Sequence, residues 1–352
     1  MKLKEKFLFL QLNRRTRPSL IRRRLKRNGI RPSGNCDSME RCSVKVGAVQ
    51  VEARLYSNPL DYVEEMCRHT GQAAAAGVQL LVFPENNSLQ LLGLIPGITA
   101  IAETLAEDNS PVRAADLFRF AGPVINRVAL QVFSYLAGAY GIYIMSGSFP
   151  YPEAGAVLNR AFLFGPDGGQ VGRQDKVHLM PLEHNWGLAA GRHFNVFSTP
   201  LGRLAMPVCM DASYFETFRI LVQRGGAEIV MVPIANAEPY NFWLALRGIW
   251  PRVQESTVYG IKSALVGQLP GFTLTGRAGV FAPLELTPGR DGVISEAPHF
   301  DREALVTAVL DMEALAQLRK NHPYLGDSNP AFVQKYFPSI YGKNQLKYHF
   351  GK

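Results

Sequence analysis

From Ser43 onward, apolar and amphipathic runs alternate in a strand–helix rhythm. SVKVGAVQV (43–51) alternates β-branched and polar positions and predicts a first strand. Residues 59–77 predict a helix, opened by Pro59 and Asp61 and closed by Gly77. VQLLVFPE (78–85) is apolar throughout, as a strand covered on both faces would be, and ends at Pro84 and Glu85. A helix over 112–140 and a strand GIYIMSGSF (141–149) follow. NRAFLFGPDGGQVGRQDKVHL (159–179) predicts a hairpin around Pro-Asp-Gly-Gly. Then come a strand GRLAMPVCMD (202–211), a helix 213–225, a strand EIVMVPIA (228–235), a helix 242–259 and a strand GIKSALVGQL (260–269). A strand pair over 278–296 and a strand at 305–310 close the body, and the aromatic, Pro-containing remainder shows no clear period.

Strands alternating with helices imply an α/β fold of βαβ units, with antiparallel pairs where hairpins are inserted. Such folds bind ligands at the carboxyl ends of strands. Glu85, Lys176 and Cys209 all sit at or just beyond predicted strand ends.

Composition changes the picture at one end only. The 352 residues suffice for a sizeable core, and 47% hydrophobic with 19% charged content is ordinary for a globular chain. Cysteines 36, 42, 67 and 209 form no CxxC pair, which favours reduced thiols and a cytosol-like compartment. The net charge of +9 is concentrated in residues 1–35, where twelve Lys and Arg stand against Glu5 alone. The rest holds 26 basic against 28 acidic residues and is nearly neutral. No stretch is long and apolar enough to predict a spanning helix, and the order of charges in the arm does not fit a secretory signal.

The arm therefore reads as a unit of its own, residues 1–42. Leu3, Phe7, Leu8 and Leu10, then Leu20, Ile21 and Leu25, are interleaved with Lys and Arg. A basic amphipathic helix, or two separated by Pro18, would lie on an anionic membrane surface. A solvated tail and an organelle-targeting segment are the competing readings. Nucleic acid is disfavoured, because Phe7 and Phe9 are the arm's aromatic side chains.

The chemistry-bearing residues have plain readings too. Cys209 alone is equally a packed core thiol, Glu85 a helix cap and Lys176 a solvated loop charge. Together they suit attack on a carbonyl or nitrile carbon. A glutamate lifted by burial can take the thiol proton, and an ammonium can share the charge that develops on oxygen. His178, His184 and His193 match no familiar metal-ligand spacing, and this chemistry requires neither metal nor cofactor.

LLVFPE, GRQDKVHLMPLE and PVCMD occur in the order and context of the carbon–nitrogen hydrolases, the nitrilase superfamily, which the chain resembles over residues 43–311. The resemblance implies a four-layer αββα sandwich that pairs with a second copy into an eight-layer αββααββα dimer or higher homo-oligomer. Residues 312–352 would form a tail, a candidate for the dimer interface. It further implies Glu85 as general base and acid, Lys176 as transition-state stabiliser, Cys209 as nucleophile and Glu183 as a second, orienting glutamate. Met210, through its backbone N–H, His178 and Asn236 are the candidate substrate contacts.

Cys209-Met210-Asp211 resembles the amidase and carbamoylase branches, with Glu216 at the matching acid, rather than the Cys-Trp-Glu of nitrile-cleaving members. Ser213 stands where the omega-amidase-like branch often has Arg, which weighs against a small dicarboxylate-derived amide. Ser256 and Ala278 also depart from the family pattern, in RVQES (252–256) and GRAGV (276–280). The segment 86–109 is apolar in its first half, fitting either a helix packed on the core or the wall of a site for a long acyl group.

The reading is thus an amidohydrolase that cleaves a non-peptide C–N bond through a cysteine thioester. The expected substrate is a hydrophobic or lipid-like acyl amide, met on the inner face of a membrane. The alternatives are a nitrilase or N-acyltransferase of the same superfamily, or a non-catalytic module that docks on membranes or nucleic acid.

Overall fold

The computed structural model describes residues 3–27, 42–105, 113–321 and 329–341. Parts of the basic arm, of the segment after Glu85 and of the C-terminal tail lie outside the described residues. The strands are β1 (Ser43–Ala53), β2 (Leu80–Val82), β3 (Tyr143–Glu153), β4 (Ala156–Phe164), β5 (Gln170–Asp175), β6 (Val196–Thr199), β7 (Gly202–Ala205), β8 (Ile229–Ile234), β9 (Tyr259–Leu269), β10 (Phe272–Leu274), β11 (Gly279–Phe281), β12 (Val293–Glu296) and β13 (Ala304–Asp311). The helices are α1 (Leu3–Arg15), α2 (Pro18–Arg27), α3 (Pro59–Ala75), α4 (Ile98–Leu105), α5 (Ala114–Tyr140), α6 (Pro181–Asn185), α7 (Phe215–Arg219), α8 (Phe242–Leu246), α9 (Trp250–Ser256), α10 (Met312–Asn321) and α11 (Pro330–Tyr341).

Strand order runs β5-β4-β3-β2-β1-β9-β8-β7-β6, and β1 joins the two halves. It lies parallel to β2 through Val46–Ala48 and parallel to β9 through Gln50–Ala53, while β13 runs antiparallel along Ser43–Gln50. Side-chain alternation then builds the layers. Val44, Val46 and Ala48 share a core with Leu80 and Val82 of the first half and with Met206, Ile229, Met231 and Ile261 of the second. Val49 and Val51 instead enter a core with residues of α3 and α5, such as Val63 and Val132. Ala205, Val230 and Val232 pack with Phe218 of α7 and Val253 of α9. The sequence of layers is helix, sheet, sheet, helix: the αββα sandwich.

The basic arm is part of that sandwich over residues 3–27. Leu12, Ile21 and Leu25 are buried in the same core as α3 and α5. Arg127 Nη2 donates to Asn13 Oδ1 at 2.7 Å, and Gln131 Nε2 donates to the Pro18 carbonyl at 2.9 Å. A freely solvated tail would do neither. α10 likewise belongs to the body, since Met312 and Leu315 enter the core between the sheets.

Elsewhere the structure shortens what the pattern predicts. The stretch 242–259 divides into α8 and α9, because Pro251 has no N–H to continue a helix from α8 and sits at the start of α9. The strand leading to Cys209 stops pairing at Ala205, two residues before Pro207. Residues 330–341, without clear period in the sequence, form α11.

Candidate active site

Glu85 lies three residues beyond β2 and is fixed by the neighbouring strand. The Phe83 N–H donates to the Met145 carbonyl at 2.9 Å, and the Asn86 N–H to the Ser148 carbonyl at 2.6 Å. Between these two anchors β3 carries Gly147 at φ +74°, where a Cβ would lie 1.9 Å from the Pro84 carbonyl oxygen. Only glycine permits this close approach, so the bulge in β3 is what seats the glutamate. Lys176 directly follows β5, and its own N–H donates to the Asn159 carbonyl of β4 at 2.8 Å. Cys209 opens a short turn after the β7 strand and adopts φ +46°, in the left-handed region. A non-glycine residue pays for that conformation, which is typical of functional turns.

These three residues meet. Lys176 Nζ lies 2.9 Å from Glu85 Oε1 and 2.6 Å from Glu183 Oε2. The Asn159 side-chain N–H donates at 2.8 Å to both Glu85 and Glu183. The Ala235 N–H donates to the other oxygen of Glu85 at 3.1 Å, and Glu183 accepts from the Met180 N–H at 2.9 Å. The Cys209 thiol lies 3.6 Å from Asn236 Oδ1 and faces the same cavity as Glu85 and Lys176.

Burial pushes the Glu85 pKa above the usual glutamate value; the Lys176 charge opposes this and the Glu183 charge adds to it. Burial, followed by the Glu85 charge, also raises the Cys209 thiol well above its usual value, so the sulfur rests protonated. For Lys176, burial alone would lower the ammonium, but the Glu85 and Glu183 charges outweigh it and hold it above the lysine range. The group therefore contains a protonated thiol, a carboxyl of raised basicity on the same cavity and a fixed cation bound to that carboxyl. That is the equipment for moving a proton off sulfur while negative charge forms nearby.

Asp211 joins the nucleophile turn to the lysine segment. Fully buried, it accepts from the Val208 N–H at 3.0 Å, from His178 at 2.7 Å and from Val177 at 3.1 Å. Burial pushes its pKa up to about 6 despite those three N–H groups. His178 lies on this segment, but its ring sits tilted against Tyr214, with centroids 4.3 Å apart, and lines neither cavity beside Cys209. Met210 and Asn236 do line that space. Glu216 is hydrogen-bonded by the Tyr341 hydroxyl of α11, away from the three central side chains. Asn159 and the bracing by Asp211 were not foreseen. Asn159 reads in the sequence as an ordinary polar position of a strand, and no spacing connects it to two glutamates.

A cavity of about 780 Å³ opens over Glu85, Lys176, Glu183 and Cys209. Its walls are largely apolar, with Leu89, Leu92, Ile98, Phe118, Leu269 and Phe272 among them. The apolar segment after Glu85 both packs on the core and lines the cavity. Leu91, Leu94 and Ile95 are core residues, while Leu89, Leu92, Ile98 and Ala102 face the cavity. Among the described residues, Glu65, His69 and Glu303 are spaced as metal ligands, away from this site. Arg68 already bonds both of those carboxylates, which makes the cluster an ion-pair network. No helix among the described residues is long and apolar enough to cross a membrane.

A family model described as "Carbon-nitrogen hydrolase" matches residues 45–320. The probable hydrolase YhcX of Bacillus subtilis is 28% identical over 79% of this chain. That match covers 52% of YhcX, so the chain spans about half the length of that relative. The human omega-amidase NIT2 is 24% identical over 78% of this chain and 91% of its own length. Among solved structures, a carbon-nitrogen hydrolase from Helicobacter pylori superposes with a TM-score of 0.66 at 21% identity, covering 86% of this chain and 99% of its own. A mutant of the amidase from Nesterenkonia sp. AN1, with the acetamide moiety of fluoroacetamide added covalently to its active-site cysteine, superposes with a TM-score of 0.61 at 20% identity. It covers 84% of this chain and 98% of its own.

Proposed function

The chain belongs to the carbon–nitrogen hydrolase family, and on that premise we propose that it is an amidohydrolase working through a thioester on Cys209. Glu85 takes the thiol proton as sulfur attacks the amide carbonyl carbon. Lys176 and the Met210 N–H hold the oxyanion. Glu85 then gives its proton to the departing nitrogen, and the C–N bond breaks. A water deprotonated by Glu85 attacks the thioester, the acid leaves, and the proton returns to sulfur. Glu183 and Asn159 orient Lys176 and Glu85.

The observation that carries this reading is the convergence of Glu85, Lys176 and Cys209 on one cavity, with Lys176 Nζ 2.9 Å from Glu85 Oε1. Intact-mass measurement during turnover of an amide tests it. An acyl adduct on Cys209 of the wild type that is absent from Glu85→Gln, together with loss of hydrolysis in Cys209→Ala, is expected. Sustained turnover by Cys209→Ala overturns it.

The size and apolar walls of the large cavity favour an amide bearing a long hydrophobic group, since clefts of roughly 300–1,000 Å³ take drug-sized ligands. The arm supports a membrane as the place of encounter. Its outward face carries Phe7 and Leu10, 63% and 64% exposed, beside the exposed Lys6, Arg14, Arg22, Arg23 and Lys26. Arg15 of the same arm donates to the Leu94 carbonyl, in the segment that walls the cavity. Basic residues contribute about 1 kcal/mol each at an anionic surface, and the exposed apolar side chains add insertion. Deleting the arm would strip the core, so the test is flotation with anionic liposomes of the full chain and a Phe7→Ser, Leu10→Ser, Arg22→Glu, Arg23→Glu variant. Equal flotation of the two removes the membrane from the reading.

A further inference from the structure

Cys209 stands where two cavities meet. Beyond the large apolar one lies a smaller space of about 70 Å³, and the two share only Met180, Cys209, Asn236 and Glu238. The smaller cavity includes Lys262, which is 2% exposed and reaches it from β9. Its ammonium has weak company. The Ala245 carbonyl accepts from it at 3.3 Å, the Phe281 ring centre lies 5.0 Å away, and Glu296 stands at 3.8 Å. The other oxygen of Glu296 is held more tightly, at 2.8 Å, by Arg277. Two cations thus share one carboxylate, and Lys262 has the looser contact. Burial pushes its pKa down to about 8 in spite of Glu296, and the Arg277 charge works in the same direction.

A second group in this cavity is also incomplete. Tyr240 stacks its ring on Phe300 at 4.6 Å, and its buried hydroxyl has no hydrogen-bond partner among the described residues. Glu238, on the wall shared by the two cavities, is paired with Arg247 at 3.4 Å, so it does not neutralise Lys262. Buried donors and charges are normally satisfied, and a loosely paired cation and an orphaned hydroxyl on the walls of one cavity call for an anionic acceptor.

We propose that the smaller cavity is a carboxylate subsite, in which Lys262 and Tyr240 receive a carboxylate at the short end of an amide whose long end lies in the apolar cavity. The inference rests on the amidohydrolase reading and names its substrate class. The space is far smaller than the apolar cavity, about 70 against 780 Å³, so it suits the shorter end of the amide. A carboxymethyl or carboxyethyl arm is a short end of this kind. Ser213, which weighs against a small dicarboxylate-derived amide, belongs to the turn that carries Cys209. Lys262 brings a cation into the same cavity from another strand. The carboxylate can belong to the leaving amine, as in a long-chain N-acylglycine, or to the acyl part, as in an N-alkyl succinamate.

The test compares kcat/KM for N-dodecanoylglycine, N-dodecylsuccinamate and their neutral carboxamide counterparts. One charged substrate is expected to exceed its neutral counterpart at least tenfold, and which one does so assigns the side of the bond that bears the carboxylate. Lys262→Met is expected to reduce that ratio at least tenfold, mainly through KM; Lys262→Arg restores part of it, and Tyr240→Phe reduces it less. A merely structural role for Lys262 would depress both substrates alike and leave the ratio unaltered. Equal rates for charged and neutral substrates, or a ratio indifferent to Lys262, overturn the subsite while hydrolysis itself persists. Absence of hydrolysis and of any Cys209 adduct with all four compounds overturns the underlying amidohydrolase reading, and the subsite with it.

Discussion

Lys176 Nζ lies closer to Glu183, at 2.6 Å, than to Glu85, at 2.9 Å. The lysine is therefore shared, and Glu183 takes part of the attraction that would otherwise hold Glu85 fully ionised. Replacing it by glutamine removes one negative charge beside Glu85 and leaves Lys176 to Glu85 alone. Both changes lower the Glu85 pKa, because the Glu183 charge raises it and the Lys176 charge lowers it. Glu183→Gln is expected to move the acid limb of kcat/KM to lower pH and to reduce kcat about tenfold or more, roughly 1.4 kcal/mol. A pH–rate profile of the variant checks both. An unmoved limb would show that Glu183 does not tune the base.

The wild-type limb has its own sign. In the proposed mechanism Glu85 accepts the thiol proton only when ionised, and burial holds its pKa above the ordinary 4.5. Activity should therefore fall as pH drops through a range higher than that of a free glutamate, with full activity only above it. The profile of kcat/KM against pH measures this directly. A limb at the ordinary glutamate position would mean that the carboxyl is not desolvated in the working enzyme.

Much of this arrangement was legible in the chain. The apolar runs ending at Glu85, Lys176 and Cys209 marked strand ends, and ligands gather at strand ends because side chains converge there without competing for core space. What could not be read was the contact that holds them. Asn159 reaches Glu183, 24 positions away, and Glu85, 74 positions away, through strand pairing that no local pattern encodes. Lys262 sits in a stretch that reads as an ordinary β-strand, and its burial beside Glu296 depends on β11 pairing with both β9 and β12, which sets Gly279 opposite each of the two residues. The arm misleads in the opposite sense. Its charge density hides Leu12, Ile21 and Leu25, a small apolar set that nonetheless belongs to the main core.

Asp211 offers a prediction about stability as well as rate. Its carboxyl is raised from 3.8 to about 6 in the fold, so the folded state favours the protonated form. The sign follows: this contribution to stability is complete below pH 3.8 and is lost as pH rises through 6. Two pKa units correspond to about 3 kcal/mol. Asp211→Asn cannot ionise, so the stability difference between wild type and variant should change by about that amount between pH 4 and 7, with the wild type relatively favoured at the acid end. Denaturant titrations at the two pH values check this. The variant also loses an acceptor that ties Val208 to Val177 and His178, and kcat should fall about tenfold to a hundredfold while the cysteine still labels with an electrophile.

The arm can be tested without removing it, because α2 presents two leucines to different surroundings. Leu25 is fully buried against the residues of α3 and α5, whereas Leu20 is 38% exposed. Truncating a buried leucine loses its transfer free energy and leaves a cavity, a cost of roughly 2–5 kcal/mol. Truncating a surface leucine usually stays within about 0.5 kcal/mol. Leu25→Ala should therefore lower the unfolding free energy of the whole protein by several kcal/mol, and Leu20→Ala should leave it nearly unchanged. Both variants keep every basic residue of the arm, so charge plays no part in the comparison. If Leu25→Ala unfolds at the same denaturant concentration as the wild type, the arm is not a cooperative layer of the sandwich. Its basic face would then have no fixed position relative to the cavity.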